Sequence, residues 1–308
     1  MIAWAHFDAP IMATRIEVVL PEDGASARDA AHVFEVFRRV EQVANEWRED
    51  SPLAAVNRAA GRAAVPIPPE LHALLTRSLE AARATGGAFD PTWAALWGLW
   101  RWDVPRVPAP ADVAARVAHV GHAKLELGDG SARLAEEGAA LGLGGIAKGW
   151  ALDRAAEALR ARGREDFLLS AGGQVYAAGD REGRPWRVGV RDPRGEREDE
   201  FALLEVRDAS VSTSGDYERF FVVDGARYHH ILDPRTGMPA TGARSATVIA
   251  AEATWADALS TALVVLGPAE GVALAERMEG VEALMVDARG EVHATTGAPI
   301  ARMTRPKP

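Results

Sequence analysis

The stretch from Ser210 to Thr261 is the part of the chain densest in groups that can do chemistry. Within it, His229 and His230 precede Asp233 on a strand that must stop at Pro234, because proline has no N–H to donate to a sheet. A histidine has an unperturbed pKa of about 6.5, so one held at a strand end is a candidate general base. The alternative is that His230 is bonded to a neighbour and Asp233 only begins a turn.

Asp257 and Thr261 lie four residues apart, near the end of the same stretch. On a helix this spacing places both side chains on one face. A carboxylate and a hydroxyl are hard oxygen ligands of the kind that Mg²⁺ accepts beside phosphate oxygens. A capping aspartate and a threonine bonded to its own turn would give the same pattern, so the spacing alone does not decide.

A glycine-rich turn at residues 142–149 precedes a predicted helix and ends with Lys148 and Gly149. Residues 142–147 formally match the dinucleotide fingerprint G-x-G-x-x-G/A, but the match lies mid-chain, without the βαβ unit that the fingerprint requires. Glycines that allow close approach, free N–H groups at a helix N-terminus and a lysine suit a pyrophosphate. An ordinary strand-to-helix turn with an exposed lysine remains the alternative.

Four tryptophans fall between residues 93 and 102. Trp93, Trp97 and Trp100 have the spacing of one helical face, which is more typical of a core than of a surface that stacks on an aromatic cofactor. His119 and His122 also have helical spacing. Because no third ligand candidate lies nearby, we interpret these two as surface or capping residues.

The composition is that of an ordinary globular protein, with 308 residues, 48% hydrophobic and 26% charged. The net charge of −9 makes nucleic acid a poor partner. The absence of cysteine excludes disulfides, thiolate metal sites and cysteine nucleophiles. No uninterrupted apolar run reaches about 18 residues, so we expect no membrane span.

The order of predicted elements favours an α+β fold. Apolar spacing predicts helices over residues 26–47, from Pro68 to residue 85, and over residues 254–266, with a new helix beginning at Pro268. Asp224-Gly225 predicts a hairpin that delivers the two histidines at its end. Because hairpins and helices alternate without a βαβ rhythm, we predict interleaved helices and antiparallel sheets in two subdomains.

Taken together, eight segments resemble the ApbE family, the FAD:protein FMN transferases, which attach FMN to a protein through a phosphoester. They occur in the family's order over residues 12–267, and their joint occurrence is far more specific than any one of them. The segments are Met12-Ala13-Thr14, Asp50-Ser51 with Asn57, residues 85–91 (TGGAFDP), residues 144–149 (GGIAKG), residues 170–173 (SAGG), residues 212–217 (STSGDY), residues 230–237 (HILDPRTG) and Ala256-Asp257 with Thr261.

The resemblance implies one ApbE-like domain over residues 1–308, with its core at about 12–267, built around a flavin site. It implies Mg²⁺ held by Asp257, Thr261 and the backbone carbonyl of Ala147, His230 as the base and Asp233 as the residue that orients it. One departure is Gly142, where family members often have aspartate. The FAD-binding residues that it implies are Met12, Trp47, Ala88, Phe89, Asp90, Lys148, Ser214, Gly215, Ile231 and Thr236.

The implied reaction is Mg²⁺-dependent transfer of the FMN half of FAD to a Ser or Thr hydroxyl of an acceptor flavoprotein, with release of AMP. Two alternatives stay open. An FAD pyrophosphatase would use water in place of the hydroxyl and would release FMN and AMP. A non-catalytic flavin-binding protein would hold FAD without releasing AMP.

The cellular compartment is unknown from the sequence. The first twenty residues include Asp8 and Glu17 and lack the pattern of a secretion signal. The expectation is therefore cytoplasmic as written, or periplasmic action by a mature form whose leader is missing.

Overall fold

The computed structural model of the protein describes residues 3–307 and contains sixteen strands and six α-helices in that part of the chain. The strands are β1 (Trp4–Ile11), β2 (Thr14–Pro21), β3 (Val65–Pro66), β4 (Leu125–Gly128), β5 (Ser131–Leu134), β6 (Phe167–Ala171), β7 (Gln174–Ala178), β8 (Trp186–Arg191), β9 (Glu200–Val206), β10 (Ala209–Gly215), β11 (Phe220–Val223), β12 (Ala226–His229), β13 (Ala243–Ala250), β14 (Val281–Asp287), β15 (Val292–Ala294) and β16 (Ile300–Met303). The helices are α1 (Ser26–Ala44), α2 (Pro52–Arg58), α3 (Pro69–Ala84), α4 (Pro110–Val117), α5 (Ala147–Arg160) and α6 (Ala253–Glu276).

Eight strands form the central sheet, in the order β1-β2-β6-β7-β10-β13-β14-β15, and every pair is antiparallel. Strand β2 shows why the sheet is covered on both sides. Ile16 and Val18 are fully buried on one face, whereas Val19 is buried on the other. The sheet therefore has two apolar faces that need separate layers.

Helices cover the first face, and a small sheet covers the second. Helix α1 buries Val33, Phe37 and Val40, which recur at helical spacing, and α5 and α6 pack beside it against the sheet. On the opposite face, the three-stranded sheet β16-β9-β8 packs Trp186 and Phe201 against the central sheet. The predicted α+β class of helices and antiparallel sheets is confirmed.

The β11–β12 hairpin forms a two-stranded sheet of its own and packs on an aromatic cluster. The rings of Phe221 and Tyr228 lie 5.3 Å apart, and the ring of Trp100 lies 5.7 Å from Tyr228. The indole N–H of Trp100 donates a 2.8 Å hydrogen bond to the carbonyl of Gly237. The predicted hairpin is thus confirmed, and this cluster anchors it to the loop that follows the histidines.

By length and composition alone, helix α6 is apolar enough to cross a membrane. It is broken at Gly267, where φ is 74°, and Pro268 begins the second half as the sequence predicts. Its first half is buried against β10 and β13 on one side and α5 on the other. We therefore interpret α6 as a core helix.

Two sequence predictions are corrected. Helix α1 ends at Ala44, so Trp47 lies beyond it and is 70% exposed. Trp93, Trp97 and Trp100 do not share a helical face, because only Ala94–Leu96 forms a short 3₁₀ turn and Gly98 takes a positive φ of 75°. The indoles of Trp93, Trp97 and Trp100 each have different neighbours.

Candidate active site

A cavity of about 520 Å³ lies where the central sheet, the N-terminal ends of α5 and α6, and the β11–β12 hairpin meet. It collects residues from segments that are far apart in sequence. Twelve of the predicted site residues line it: Met12, Trp47, Ala88, Phe89, Asp90, Lys148, Ser214, Gly215, His230, Ile231, Asp257 and Thr261.

The two adjacent histidines have different surroundings. His229 is 3% exposed, and its Nε2 lies 2.7 Å from the carbonyl oxygen of Ala240, to which it donates. His230 lines the cavity, and its buried Nδ1 has no hydrogen-bond partner among the residues described. Burial, together with the nearby His229 and Arg219, lowers the pKa of His230 to about 4. His230 is therefore neutral at pH 7 and can accept a proton.

Three predicted residues do not line the cavity. We expected Asp233 to orient His230, but its carboxylate instead binds the guanidinium of Arg235 through two hydrogen bonds of 2.9 Å. A two-residue separation makes this local pair easy to form. Thr236 is exposed in the same turn, where its hydroxyl accepts from the N–H of Met238. Ala147 is the buried first residue of α5.

The start of α5 is held against the start of α6 by contacts that need glycine. A Cβ atom on Gly149 would lie 2.2 Å from the carbonyl oxygen of Ala253, so only glycine allows this approach. The N–H of Gly149 then donates a 3.0 Å hydrogen bond to Oδ2 of Asp257. One turn further along α5, Asp153 accepts hydrogen bonds from the N–H groups of Ala253 and Thr254, which caps α6.

Asp257 and Thr261 face the cavity together with the ammonium group of Lys148 and the hydroxyl of Ser214. Nζ of Lys148 lies 3.7 Å from Oδ1 of Asp257 and donates to the carbonyl of Gly144. Oγ1 of Thr261 lies 3.3 Å from Oγ of Ser214. Ser260, which the sequence did not indicate, is fully buried and lies 2.9 Å from Ser214.

This oxygen set fits a hard cation such as Mg²⁺, because it combines a carboxylate with hydroxyl groups. Gly145 leaves the hydroxyl of Thr261 open, since a Cβ there would lie 3.3 Å from Oγ1. Within residues 3–307, no group of three His, Asp or Glu side chains is arranged to hold a metal. A cation at this place would therefore depend on phosphate oxygens of a ligand as well.

Aromatic rings form another wall of the cavity. Trp47 stacks on Trp97 with ring centroids 4.3 Å apart, and Trp93 meets Trp97 edge-on at 6.0 Å. Trp47 and Trp93 both line the cavity. An exposed indole held by a second indole is a suitable stacking surface for a planar heteroaromatic ring. The stacking interpretation was weighed for Trp93, Trp97 and Trp100, and of these Trp93 lines the cavity.

Asp90 holds the segment between residues 87 and 93 in place. Its Oδ1 accepts from the N–H and hydroxyl of Thr92, and its Oδ2 accepts from the N–H of His122 and lies 2.9 Å from Nδ1 of that residue. The residue is 4% exposed. His122 is thus a structural partner of Asp90 rather than a surface residue.

Gly142 packs against the indole of Trp93. The indole N–H of Trp93 donates a 3.0 Å hydrogen bond to the carbonyl of Gly142, and a Cβ on Gly142 would lie 3.0 Å from the same nitrogen. The indole therefore occupies the space that a side chain at residue 142 would need.

Several cavity residues were missed by sequence reasoning. Burial raises the pKa of Glu46, which lies beside Trp47 in the chain. Glu218 and Arg219 are the two residues that follow the identified motif at residues 212–217, and their proximity to that motif was the available signal. Gln174 donates to the carbonyl of Ala253, 79 residues away, a contact that no local pattern predicts. The missed lining residues are Glu46, Gln174, Glu218 and Arg219, whereas Thr14, Trp93 and Ser212 were named in the sequence without a role in the site.

The fold and the cavity define an α+β protein with an aromatic wall, a lysine and hard oxygen ligands at one site. Comparison with known proteins gives the family. The sequence model described as the ApbE family matches residues 12–285, so the chain belongs to the ApbE family.

Curated relatives agree with this assignment. The protein named FAD:protein FMN transferase from Treponema pallidum (strain Nichols) is 39% identical over 284 residues, covering 86% of this chain and 78% of the relative. A protein of the same name from Klebsiella pneumoniae (strain 342) is 34% identical and covers 83% of this chain and 81% of its own length.

Solved structures of the family have the same fold. The ApbE protein of Thermotoga maritima superposes with a TM-score of 0.87 at 34% identity, covering 96% of this chain and 97% of that one. The flavin transferase ApbE from Vibrio cholerae gives a TM-score of 0.86 at 26% identity, covering 96% and 98%. The predicted resemblance is confirmed.

Proposed function

We propose that this protein transfers the FMN moiety of FAD to a Ser or Thr hydroxyl of an acceptor protein, with Mg²⁺ as cofactor and AMP as the leaving group. The observation that carries the proposal is one cavity that joins a neutral histidine, His230, to the oxygen set of Asp257 and Thr261. The family assignment and the names of the relatives support it.

The reaction requires a base on one side of the phosphorus atom and charge neutralisation on the other. The acceptor oxygen would form a bond to the FMN phosphorus while the bond to the AMP phosphate oxygen breaks. The hydroxyl proton would pass to His230, whose low pKa leaves it unprotonated at neutral pH. Lys148, at the N-terminal end of α5, would bind the pyrophosphate through its ammonium group.

Asp257 and Thr261 would hold Mg²⁺, which supplies charge stabilisation to the pyrophosphate when bound. Trp47 would stack on one of the two ring systems of FAD, with Trp97 behind it. Asp90 would act indirectly, because the hydrogen bonds of its carboxylate go to Thr92 and His122. Asp233 and Thr236 would shape the turn after His230.

Incubation of the protein with FAD, Mg²⁺ and Ser- or Thr-containing peptides tests the proposal. Mass spectrometry should detect peptides that carry an added FMN. In a parallel incubation without peptide, the proposal expects little free FMN, whereas a pyrophosphatase would release FMN and AMP there. Stoichiometric FAD binding without AMP under either condition would instead identify a flavin-binding protein and contradict the proposal.

A further inference from the structure

The β11–β12 hairpin has a strand edge that is unpaired and directly adjoins the cavity. Strand β11 has a single partner, β12, in a sheet of two strands. Glu218 and Arg219, immediately before β11, line the cavity, as does His230, immediately after β12. The edge of β11 therefore begins at the cavity rim, next to the histidine.

The hydrogen-bond pattern identifies the groups on that edge. The N–H of His230 donates to the carbonyl of Arg219, and the turn at residues 224–225 joins Val223 to Ala226. In an antiparallel hairpin, bonded and non-bonded pairs alternate. Phe220 and Val222 are therefore the non-bonded positions, and their main-chain N–H and C=O groups point away from β12.

The side chains on the same edge are apolar and exposed. Phe220 is 38% exposed and Val222 is 52% exposed, whereas Phe221, between them, is buried in the aromatic cluster. Proteins usually protect an open edge with lysine, proline or a covering element, and β11 has none of these among its four residues. The exposed face of this edge is suited to an apolar partner.

Two cations flank the edge on a chain whose net charge is −9. Arg219 is exposed and forms no ion pair among the residues described. The guanidinium of Arg227 lies 3.8 Å from the ring centroid of Phe220, but its Nε lies 4.0 Å from Oδ2 of Asp216, so Arg219 is the cation left to meet an acidic residue. A segment that binds here is therefore favoured if it combines apolar and acidic residues.

We propose that β11 binds the acceptor protein by strand addition. An extended segment of the acceptor would pair with the outward groups of Phe220 and Val222 and place its hydroxyl residue in the cavity beside His230. Main-chain bonding would supply affinity, and alternate side chains over Phe220 and Val222 would supply specificity. This inference rests on the proposed transfer to a protein hydroxyl, because only an acceptor chain needs to reach the cavity from outside.

The probe is a library of synthetic peptides with a central Thr and random flanking residues. The library is incubated with the protein, FAD and Mg²⁺. The best substrate is then remade with N-methyl groups at successive backbone positions. Strand addition predicts that kcat/KM falls roughly tenfold at alternate positions only, because every second amide faces the partner strand. Equal effects at all positions, or none, would overturn the inference.

A matched pair of variants tests the protein side. Val222→Asp should lower kcat/KM for the peptide roughly tenfold by placing a charge against the apolar segment, with FAD affinity unchanged. Met303→Asp is the control, because Met303 is 49% exposed on the distant strand β16. If both variants modify the peptide as fast as wild type, strand addition at β11 is wrong. If wild-type protein modifies no acceptor at all, the proposed function itself fails.

Discussion

At the scale of single residues, the two adjacent histidines differ in role because only one of them faces the cavity. His229 is the last residue of β12, and its ring is buried and bonded to the carbonyl of Ala240. His230 follows the strand and faces the cavity without a partner for Nδ1 among the residues described. Because Asp233 is bound to Arg235, His230 depends on burial rather than on a carboxylate for its properties.

The first prediction concerns the pH dependence of transfer. The pKa of His230 is lowered to about 4, so its neutral form is present above that value and is lost as pH falls through it. We expect kcat/KM to stay level from neutral pH to about pH 5 and to fall below it. An inflection near the unperturbed value of about 6.5 would show instead that the pKa of the base is not lowered.

The second prediction concerns the same residue's contribution to rate. His230→Gln should reduce the rate of transfer by roughly 100-fold, which is the lower end of the rate effect expected when a general base is removed. The affinity for FAD should be unchanged. The measurement is single-turnover transfer together with an FAD titration. His229→Gln is a control that should instead lower stability, because its buried ring is bonded to the carbonyl of Ala240. Transfer by His230→Gln at the wild-type rate would refute the assignment.

The third prediction concerns Asp257. Asp257→Asn keeps an oxygen for the N–H of Gly149 but removes the charge that a cation needs. We expect the response to Mg²⁺ to disappear and the rate to fall roughly 100-fold, or ~3 kcal/mol of barrier. Asp153→Asn is the matched control: it is another buried aspartate, on α5, that caps α6 without lining the cavity. An unchanged Mg²⁺ titration in Asp257→Asn would exclude it as a ligand.

At the scale of elements, the junction of α5 and α6 builds the end of the cavity at which we propose that the pyrophosphate binds. Gly149 allows the two helices to approach, Asp153 caps α6, and Asp257 accepts the N–H of Gly149. The sequence predicted both helices and placed Asp257 on the second, but it placed Lys148 in the turn before the first, whereas α5 begins at Ala147. It did not predict the cap, because Asp153 and Ala253 are 100 residues apart and their pairing follows from packing.

The fourth prediction tests that junction. Gly149→Ala would place a Cβ 2.2 Å from a main-chain oxygen, so one helix must move. We expect the free energy of unfolding to fall by about 1–3 kcal/mol and the affinity for Mg²⁺ to fall with it. Urea denaturation and a metal titration measure the two effects. Gly24→Ala is the control, because its Cβ would meet nothing within 4 Å; if the two variants were equally stable, the close contact would not matter.

The tryptophan segment shows why other elements escaped prediction. Helical spacing at residues 93, 97 and 100 is real, but Gly98 interrupts the segment with a positive φ. The indole of Trp100 bonds to the carbonyl of Gly237, and Trp97 stacks on Trp47. These distant contacts outweigh local periodicity. By contrast, the hairpin at Asp224-Gly225 was predictable because its turn chemistry is local.

At the scale of the whole molecule, the antiparallel central sheet is covered by helices on one face and by a small sheet on the other, and the cavity opens at the helical side. This arrangement excludes the dinucleotide fingerprint at residues 142–147 as a Rossmann site, because the glycine turn precedes α5 without a parallel βαβ unit. The α+β class was predictable from the alternation of hairpins and helices. The two-sided covering of the sheet was not, because it depends on which strands pair.

The most direct test of the central claim compares AMP released with FMN attached, in the same reaction of wild-type protein, FAD, Mg²⁺ and a peptide substrate. If one cavity binds FAD and carries out the transfer, each FMN found on a peptide hydroxyl should be matched by one AMP. Both products should fall together in Asp257→Asn. AMP that accumulates while no peptide hydroxyl gains FMN would contradict the account.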